Sequence, residues 1–321
     1  MRILEGIDSL RQLPHGAVLS IGNFDGVHRG HQRLLERCRE LQAESNAPAS
    51  VVVTFEPHPL TVLRPKLAPR RLTSPERKRE LLRAAGLDVL VVLPPSQEVL
   101  NLTAEQFWQL IRDGARPSHL VEGSSFYFGK GRGGTIEKLR EWTAEGPIRL
   151  HVVDAVKVPL LNLQVVPVSS SVVRWFIEQG RVRDAAICLG RAYELEGTIV
   201  RGAARGRELG FPTANFQCVD QLIPADGVYA GRCQVDGRRW PAAVSIGTNP
   251  TFGDNPRTVE AHLIGFSGDL YGRTLRLELL DWQRDQRTFA GIEALKEWIA
   301  ADVRETLGRV DRDPARAVAT I

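Results

Sequence analysis

Apolar and polar positions alternate along this chain in two different ways, and the rhythm changes near residue 193. In the first part, short runs rich in Val, Leu and Ile recur at 17–21, 51–55, 87–93 and 119–121. Runs of that kind suit strands buried on both faces of a parallel sheet. Between them apolar residues return at helical spacing. Leu34, Leu35, Cys38 and Leu41 share one face after Gly30, and 71–85 and 103–112 read as further helices. Thr73 or Ser74 ahead of Pro75 is a fitting cap for the second of these. Its basic residues, Arg77, Lys78, Arg79 and Arg83, read as a solvated face. Strand, glycine turn, helix and strand make a βαβ unit. Its repetition predicts an α/β domain of doubly wound, Rossmann-like form with a parallel sheet.

Beyond residue 193 helical spacing gives way to short alternating runs separated by turns, Asp236-Gly237 being a good hairpin turn. This pattern predicts a mostly β domain, a sandwich or small barrel. One helix closes it over 292–307, with Leu295, Trp298, Ile299, Val303 and Leu307 on one face. Ahead of it, the helix that follows 168–174 fades at Gly180, and 181–191 reads as the passage into the second domain. The expected division is therefore 1–182, 183–310 and a frayed polar tail, 311–321.

A chain of 321 residues suits two domains. Its net charge of +4 is mild, with the basic residues scattered rather than striped, and affinity for phosphorylated small molecules accounts for it as well as nucleic acid would; no nucleic-acid partner is expected. Cys38, Cys188, Cys218 and Cys233 form no C-x-x-C pair and read as reduced thiols. The first ten residues have no apolar core, and no run is long enough to span a bilayer. A cytoplasmic protein without membrane partners is expected; oligomeric state is left open.

Candidate chemistry begins at the turn after the first apolar run, GNFDGVHRGH. His28 and His31 are spaced three positions apart, which puts both rings on one side of a helix start. Free N–H groups and the helix dipole favour an anion there. Gly30 leaves room for a phosphate or ribose against the backbone. Two donors on one phosphate would stabilise the charge that grows during displacement. A zinc site lacks a third ligand nearby, and no P-loop sequence occurs. In TFEPHP, prolines present His58 at the same sheet edge. The stretch 123–134, GSSFYFGKGRGG, could wrap phosphates while an aromatic covers a flat ring. The serines of VSSSVVR can cap the helix that follows. In the second half, Gly202, Gly206 and Gly210 with Arg205 and Arg207 suit a phosphate-wrapping flap. Thr213 and Asn215 lie two apart, on one face of an extended segment. With ATP phosphates they could complete a magnesium shell.

GNFDGVHRGHQ resembles the HxGH signature of nucleotidyltransferases. Its flanks are similar to the adenylyltransferase half of the bacterial bifunctional riboflavin kinase/FMN adenylyltransferase (FAD synthetase) family. TFEPHP, GSSFYFG, VSSSVVR, GFPTAN and SIGTNPTFG resemble other motifs of that family, in the same order. The resemblance implies an N-terminal nucleotidyltransferase domain that adenylylates FMN to FAD and releases pyrophosphate. It implies a C-terminal barrel that phosphorylates riboflavin with ATP and Mg2+. In the first, His28 and His31 would stabilise the transition state and Arg174 the leaving pyrophosphate. Gly22, Asn23, Phe24, Asp25, Gly30 and His58 would line the nucleotide pocket, with Ser125, Phe126, Phe128, Ser170 and Ser171. In the second, Gly202, Gly206, Arg207, Gly210 and Pro212 would surround ATP and flavin. Thr213 and Asn215 would bind the metal, and Glu260 would act as general base on the ribityl hydroxyl. The chain departs from the family pattern at Ser125, where a carboxylate or amide is usual, and at Ser171, Gly265 and Gln286. Two other readings follow: a riboflavin kinase with a weakened adenylyltransferase half, and a flavin- or nucleotide-binding regulator. Glu260 argues against the regulator, since binding needs no base.

Overall fold

The apolar runs of the first part become the middle of a parallel sheet. In the computed structural model, which describes residues 1–202, 205–248 and 257–312, six strands form it. They are β1 (Arg2–Glu5), β2 (Val18–Ile21), β3 (Ser50–Phe55), β4 (Val89–Leu93), β5 (His119–Gly123) and β6 (Arg149–Val153). Their order is β1-β4-β3-β2-β5-β6, and every pair is parallel. Successive residues of a strand point to opposite faces. Leu19, Ile21, Val51, Val53, Val91 and Leu93 enter one core with Phe107, Trp108 and Ile136. Val52, Leu90 and Val92 enter another with Leu35 of the helix Arg29–Ser45 and Leu82 of the helix Pro75–Ala84.

The strand order reverses between β2 and β5. In open α/β sheets the crevice at the carboxyl ends of such a pair is the binding site. The histidine turn follows β2 and the glycine-rich loop follows β5. The pattern of apolar runs did not predict β1 or β6. Both are edge strands in which no residue is fully buried, so no continuous apolar run marks them. The helix expected over 103–112 is Ala104–Gln109, closed by a capping box from Thr103 and Gln106 and continued by a π-turn, Leu110–Ala115.

Strands β7 (Lys157–Pro159) and β8 (Val165–Pro167) form a short separate ribbon. Contacts divide the chain into two compact units. One is Met1–Arg70, Pro75–Val158 and Val166–Val168; the other is Arg71–Ser74, Pro159–Val165 and Ser169–Ile321. The helix Ser170–Glu178, capped by the Ser169 side chain, falls in the second unit. A second helix, Val182–Leu189, stands where a plain passage was expected. Val182, Ala185, Cys188 and Leu189 are buried, and Asp184 pairs with Arg181 at 2.8 Å.

The rest of this unit is a closed antiparallel barrel. Its strands are β9 (Tyr193–Val200), β10 (Ala214–Gln217), β11 (Gly227–Val235), β12 (Arg238–Gly247), β13 (Thr258–Leu263) and β14 (Thr274–Arg284), in the order β10-β13-β12-β11-β14-β9. Asp236 and Gly237 both take positive φ, 50° and 78°, as a hairpin turn between β11 and β12 requires. The closing helix, Ile292–Asp311, is longer than predicted and buries the predicted side. Asp302, Thr306 and Val310 are buried there, Leu295, Ile299 and Val303 of the same side are half-buried, and Trp298 and Leu307 at its margins are exposed. Polar partners on the barrel hold this side. Arg284 forms a bidentate pair with Asp302 at 2.9 and 2.7 Å, and Gln283 donates to Thr306 at 2.8 Å. All four cysteines are free. Among the described residues no helix is long and apolar enough to cross a membrane.

Candidate active sites

The turn after β2 is held in a conformation few side chains adopt. Phe24, Gly26 and Val27 have φ of 48°, 81° and 39°. For a β-branched residue such as Val27 this is strained. The strain is sustained by packing and by a hydrogen bond: Phe24 and Val27 are buried in the core, and Gln32 Nε2 donates to Val27 O at 2.8 Å. His28 then caps the helix Arg29–Ser45, its Nδ1 accepting from the His31 backbone N–H at 3.3 Å. Accepting at Nδ1 leaves Nε2 as the protonated nitrogen of the neutral ring. The His31 ring stacks on it, with centroids 3.6 Å apart and planes 16° from parallel. Burial, then His28 and Lys78, hold His31 well below the usual histidine range. Its Nδ1 is buried with no hydrogen-bond partner.

A β-carbon at Gly30 would lie 3.1 Å from His28 Cε1 and 3.2 Å from its Nδ1, so the glycine makes room for the histidine ring. Gly22 does the same for Phe24, whose ring would stand 3.1 Å from an added β-carbon. Phe24 is a core residue that packs at 5.0 Å against His31, and Asp25 is half-buried in the turn. His58 meets Asn23: its Nε2 lies 3.2 Å from the Asn23 amide, and its Nδ1 accepts from Leu60 N at 3.1 Å.

Lys78 corrects the reading of its helix as a solvated face. It is 6% exposed and reaches Glu56 at 2.7 Å. Helical spacing shows why: Lys78 stands three and four residues before Leu81 and Leu82, on the apolar stripe.

In the loop after β5, Ser125 is exposed, Phe126 is half-buried and Phe128 is a core residue packed on Phe107 and Trp142. Phe126 stacks on Phe128 at 5.5 Å, so Phe128 backs a ring more open than itself. A β-carbon at Gly134 would fall 2.5 Å from the Phe128 ring, and one at Gly129 would fall 2.7 Å from the Ala104 backbone. These glycines let the loop close on its own core. Ser170, Ser171 and Arg174 occupy the start of the helix Ser170–Glu178 in the second unit.

In the barrel, β10 runs against β13 with Asn215 directly opposite Glu260. Thr213 Oγ1 donates to Glu260 Oε2 at 3.3 Å, and Thr258 Oγ1 donates to Oε1 at 3.2 Å. The preceding glycines press on these residues. A β-carbon at Gly202 would meet the Asn215 amide at 2.4 Å, and one at Gly206 would meet Phe211 O at 2.5 Å and Thr213 Oγ1 at 3.2 Å. Gly210 turns the chain at φ 88°, the Pro212 carbonyl accepts from His262 Nδ1 at 2.8 Å, and Arg207 is exposed. The Arg205 side chain and residues 249–253 of SIGTNPTFG lie outside the described residues.

Thr213, Asn215 and Glu260 open on a cavity of about 700 Å³ with apolar walls from Phe216, Val244 and Ile299. Arg284, Gln286 and Asp302 also line it, and no local sequence pattern marks the Arg284–Asp302 pair. Gln286 Nε2 donates to Ser245 Oγ at 2.9 Å. A second cavity of about 450 Å³ shares Thr213 and is walled by Arg207, Phe266 and Tyr271.

A parallel α/β unit with a histidine pair at its switch point, and a barrel with a carboxylate set among hydroxyl and amide groups, describe a transferase with two activities. The FAD synthetase family model matches residues 10–171, and the riboflavin kinase family model matches residues 189–309. The chain belongs to the bifunctional riboflavin kinase/FMN adenylyltransferase family. It is 37% identical over 305 residues to the protein of that name from Pseudomonas fluorescens, covering 94% of this chain and 96% of the relative. It is 35% identical, with the same coverage, to that from Escherichia coli K12. A solved structure described as a macrolide-efflux protein from Streptococcus pneumoniae superposes with a TM-score of 0.84 at 28% identity, over 95% of this chain and 99% of the other. The C-terminal half is a riboflavin kinase and the N-terminal half an FMN adenylyltransferase.

Proposed function

We propose that residues 1–182 carry out adenylyl transfer and residues 183–310 phosphoryl transfer, with 311–321 as a tail. In the first reaction an FMN phosphate oxygen attacks the α-phosphorus of ATP in line, and the bond to the departing pyrophosphate breaks. His28 and His31 donate from Nε2 to the phosphate, stabilising charge at the transition state without a covalent intermediate. Asn23, Asp25 and His58 shape the nucleotide side of the turn, with Gly22, Phe24 and Gly30 setting its geometry. Ser125 and Phe126, backed by Phe128, face the flavin. Arg174 takes the pyrophosphate through its planar fork, helped by the hydroxyls of Ser170 and Ser171.

In the second reaction Glu260 accepts the proton of the ribityl hydroxyl as that oxygen attacks the γ-phosphorus and ADP departs. A base so placed contributes roughly 10²–10⁴-fold. Gly206, Arg207, Gly210 and Pro212 close over the phosphates, with Gly202 making room for the Asn215 amide. The oxygens of Thr213 and Asn215 are of the hard, neutral kind magnesium accepts, and among the described residues no cluster of three His, Cys, Asp or Glu competes for a metal. Mg2+ held by them and the triphosphate would neutralise phosphate charge. The register of β10 on β13, with Asn215 opposite Glu260 and Thr213 within reach of the carboxylate, carries this assignment. Four free cysteines suit a cytoplasmic enzyme, and the mild, scattered positive charge suits riboflavin, FMN and ATP as its partners rather than nucleic acid or a membrane.

One chromatographic time course with riboflavin, ATP and magnesium tests both assignments. FMN should appear and then convert to FAD. His28→Ala should stop at FMN; Glu260→Ala should leave riboflavin untouched yet convert added FMN. FMN accumulating in the unaltered protein would mark a weakened adenylyltransferase, with Ser125→Asp the first restoration to try. Flavin binding without turnover would favour the regulator.

A further inference from the structure

Lys78 is buried in the adenylyltransferase unit among apolar neighbours, on the inward side of the helix Pro75–Ala84. Its ammonium reaches the Glu56 carboxylate at 2.7 Å and the carbonyl oxygens of Phe55 and Asn23 at 3.4 and 3.5 Å. A buried ammonium is costly, and a leucine would fill the same stem without that cost. The oxygens it joins show what the charge does. Phe55 ends β3, while Asn23 opens the histidine turn and its carbonyl also accepts from Thr54 Oγ1 at 3.1 Å. The next residue, Phe24, packs on His31 at 5.0 Å.

We propose that Lys78 is a positioning residue for FMN adenylylation: its ammonium ties the Asn23–Phe24 turn to the end of β3 and sets a fixed positive charge beside the His28–His31 pair. The inference rests on the assignment of those histidines to the transferring phosphate. Around His31 the titratable groups are His28 at the start of its own helix and Lys78 from the neighbouring helix. Glu56 stands behind Lys78, Asp25 lies in the turn, and His58 lies beyond Asn23. Lys78 and His28 both disfavour an imidazolium at His31. The neutral ring of His31 is thereby favoured in the free site.

The test is the pH profile of kcat/KM for FAD formation from added FMN by the full chain, with FMN formation from riboflavin in the same preparations as the control for folding. In Lys78→Met, His31 loses a positive neighbour, so the acid limb should move up in pH, with at least a tenfold loss near neutrality. Lys78→Arg should keep the limb in place. Glu56→Gln leaves the ammonium without its counter-charge and should move the limb down. Titration of the His31 ring by NMR in the free protein should move in the same directions, and reads out even if a variant is inactive. A limb and a His31 titration unchanged in Lys78→Met would overturn the proposal, whether or not activity falls. FAD formation surviving His28→Ala would instead defeat the assignment on which it rests.

Discussion

Gly30→Ala separates stability from chemistry in the adenylyltransferase half. In a helix this exchange ordinarily stabilises by up to about 1 kcal/mol. Here the new β-carbon would stand 3.1 Å from His28 Cε1 and 3.2 Å from Nδ1, with Val168 O at 3.5 Å on its other side. Carbon atoms in contact prefer about 3.5–4.0 Å, so the imidazole must retreat by roughly 0.4 Å or more. The His28 Nδ1 bond to the His31 N–H is already long at 3.3 Å, and the retreat breaks it. Nothing else packs against the added methyl closely enough to unfold the unit. Resistance to urea should therefore stay within about 1 kcal/mol of the parent. A misplacement approaching 1 Å at a phosphate donor costs on the order of 10²-fold, so FAD formation from added FMN should fall at least tenfold. Phosphorylation of riboflavin by the same sample should be unchanged. A Gly30→Ala protein that makes FAD at the parental rate would show that the His28 ring position does not matter. Equal loss of both activities would show that the substitution acts through folding.

Gly202→Ala should do for the kinase what Gly30→Ala does for the adenylyltransferase: its β-carbon would fall 2.4 Å from the Asn215 amide, which must swing away. We expect at least a tenfold loss of FMN formation with FAD formation from added FMN intact, and equal rates would refute the contact. Asp302→Ala leaves Arg284 buried without its bidentate partner, the two side chains being 14% and 8% exposed. Breaking such a pair costs about 3–5 kcal/mol, to be read from urea unfolding of the barrel, and a midpoint unchanged from the parent would refute it. Glu122 is buried, and burial raises its carboxyl well above the usual carboxylate range. The folded state then holds one proton more than the unfolded state between the two pKa values, so stability falls as pH rises through that window, by about 1.4 kcal/mol per unit. Glu122→Gln can keep the acceptor for the Ile21 N–H, now at 2.8 Å, and should flatten this fall; a slope that survives the change refutes the assignment.

Elements whose burial is settled within the strand or helix itself were legible in the chain. β2, β3 and β4 are buried almost throughout, and a strand enclosed on both faces needs no information beyond a continuous apolar run. β1 and β6 have one free edge each, and their mixed pattern is decided by neighbours distant in sequence. The closing helix shows the same limit. Its apolar stripe marks the side that meets the barrel, but the polar bonds on that side, from Arg284 to Asp302 and from Gln283 to Thr306, join residues distant in sequence and leave no local signal. Lys78 was hidden for a related reason: in a run of Arg, Lys and Arg, charge conceals that one position lies on the buried stripe.

The glycine-rich motifs were found readily, but what fills their space was not. Gly30, the loop 123–134 and Gly202 each looked like room for a phosphate. In each the space is taken by the chain itself: the His28 ring, the Phe128 ring and the Asn215 amide. A glycine permits close approach without saying what approaches. Here each one fixes a side chain that the chemistry or its supporting wall requires, which spares the substrate the cost of ordering that side chain on binding. On this view, substitutions at Gly30 and Gly202 should act on rate more than on fold. That is the opposite of what a phosphate-wrapping loop predicts, where an added methyl collides with the ligand and raises KM. The split between kcat and KM in Gly30→Ala and Gly202→Ala decides between the two: a fall in kcat at unchanged KM is the signature of a displaced side chain, and a raised KM at unchanged kcat would return these glycines to the ligand.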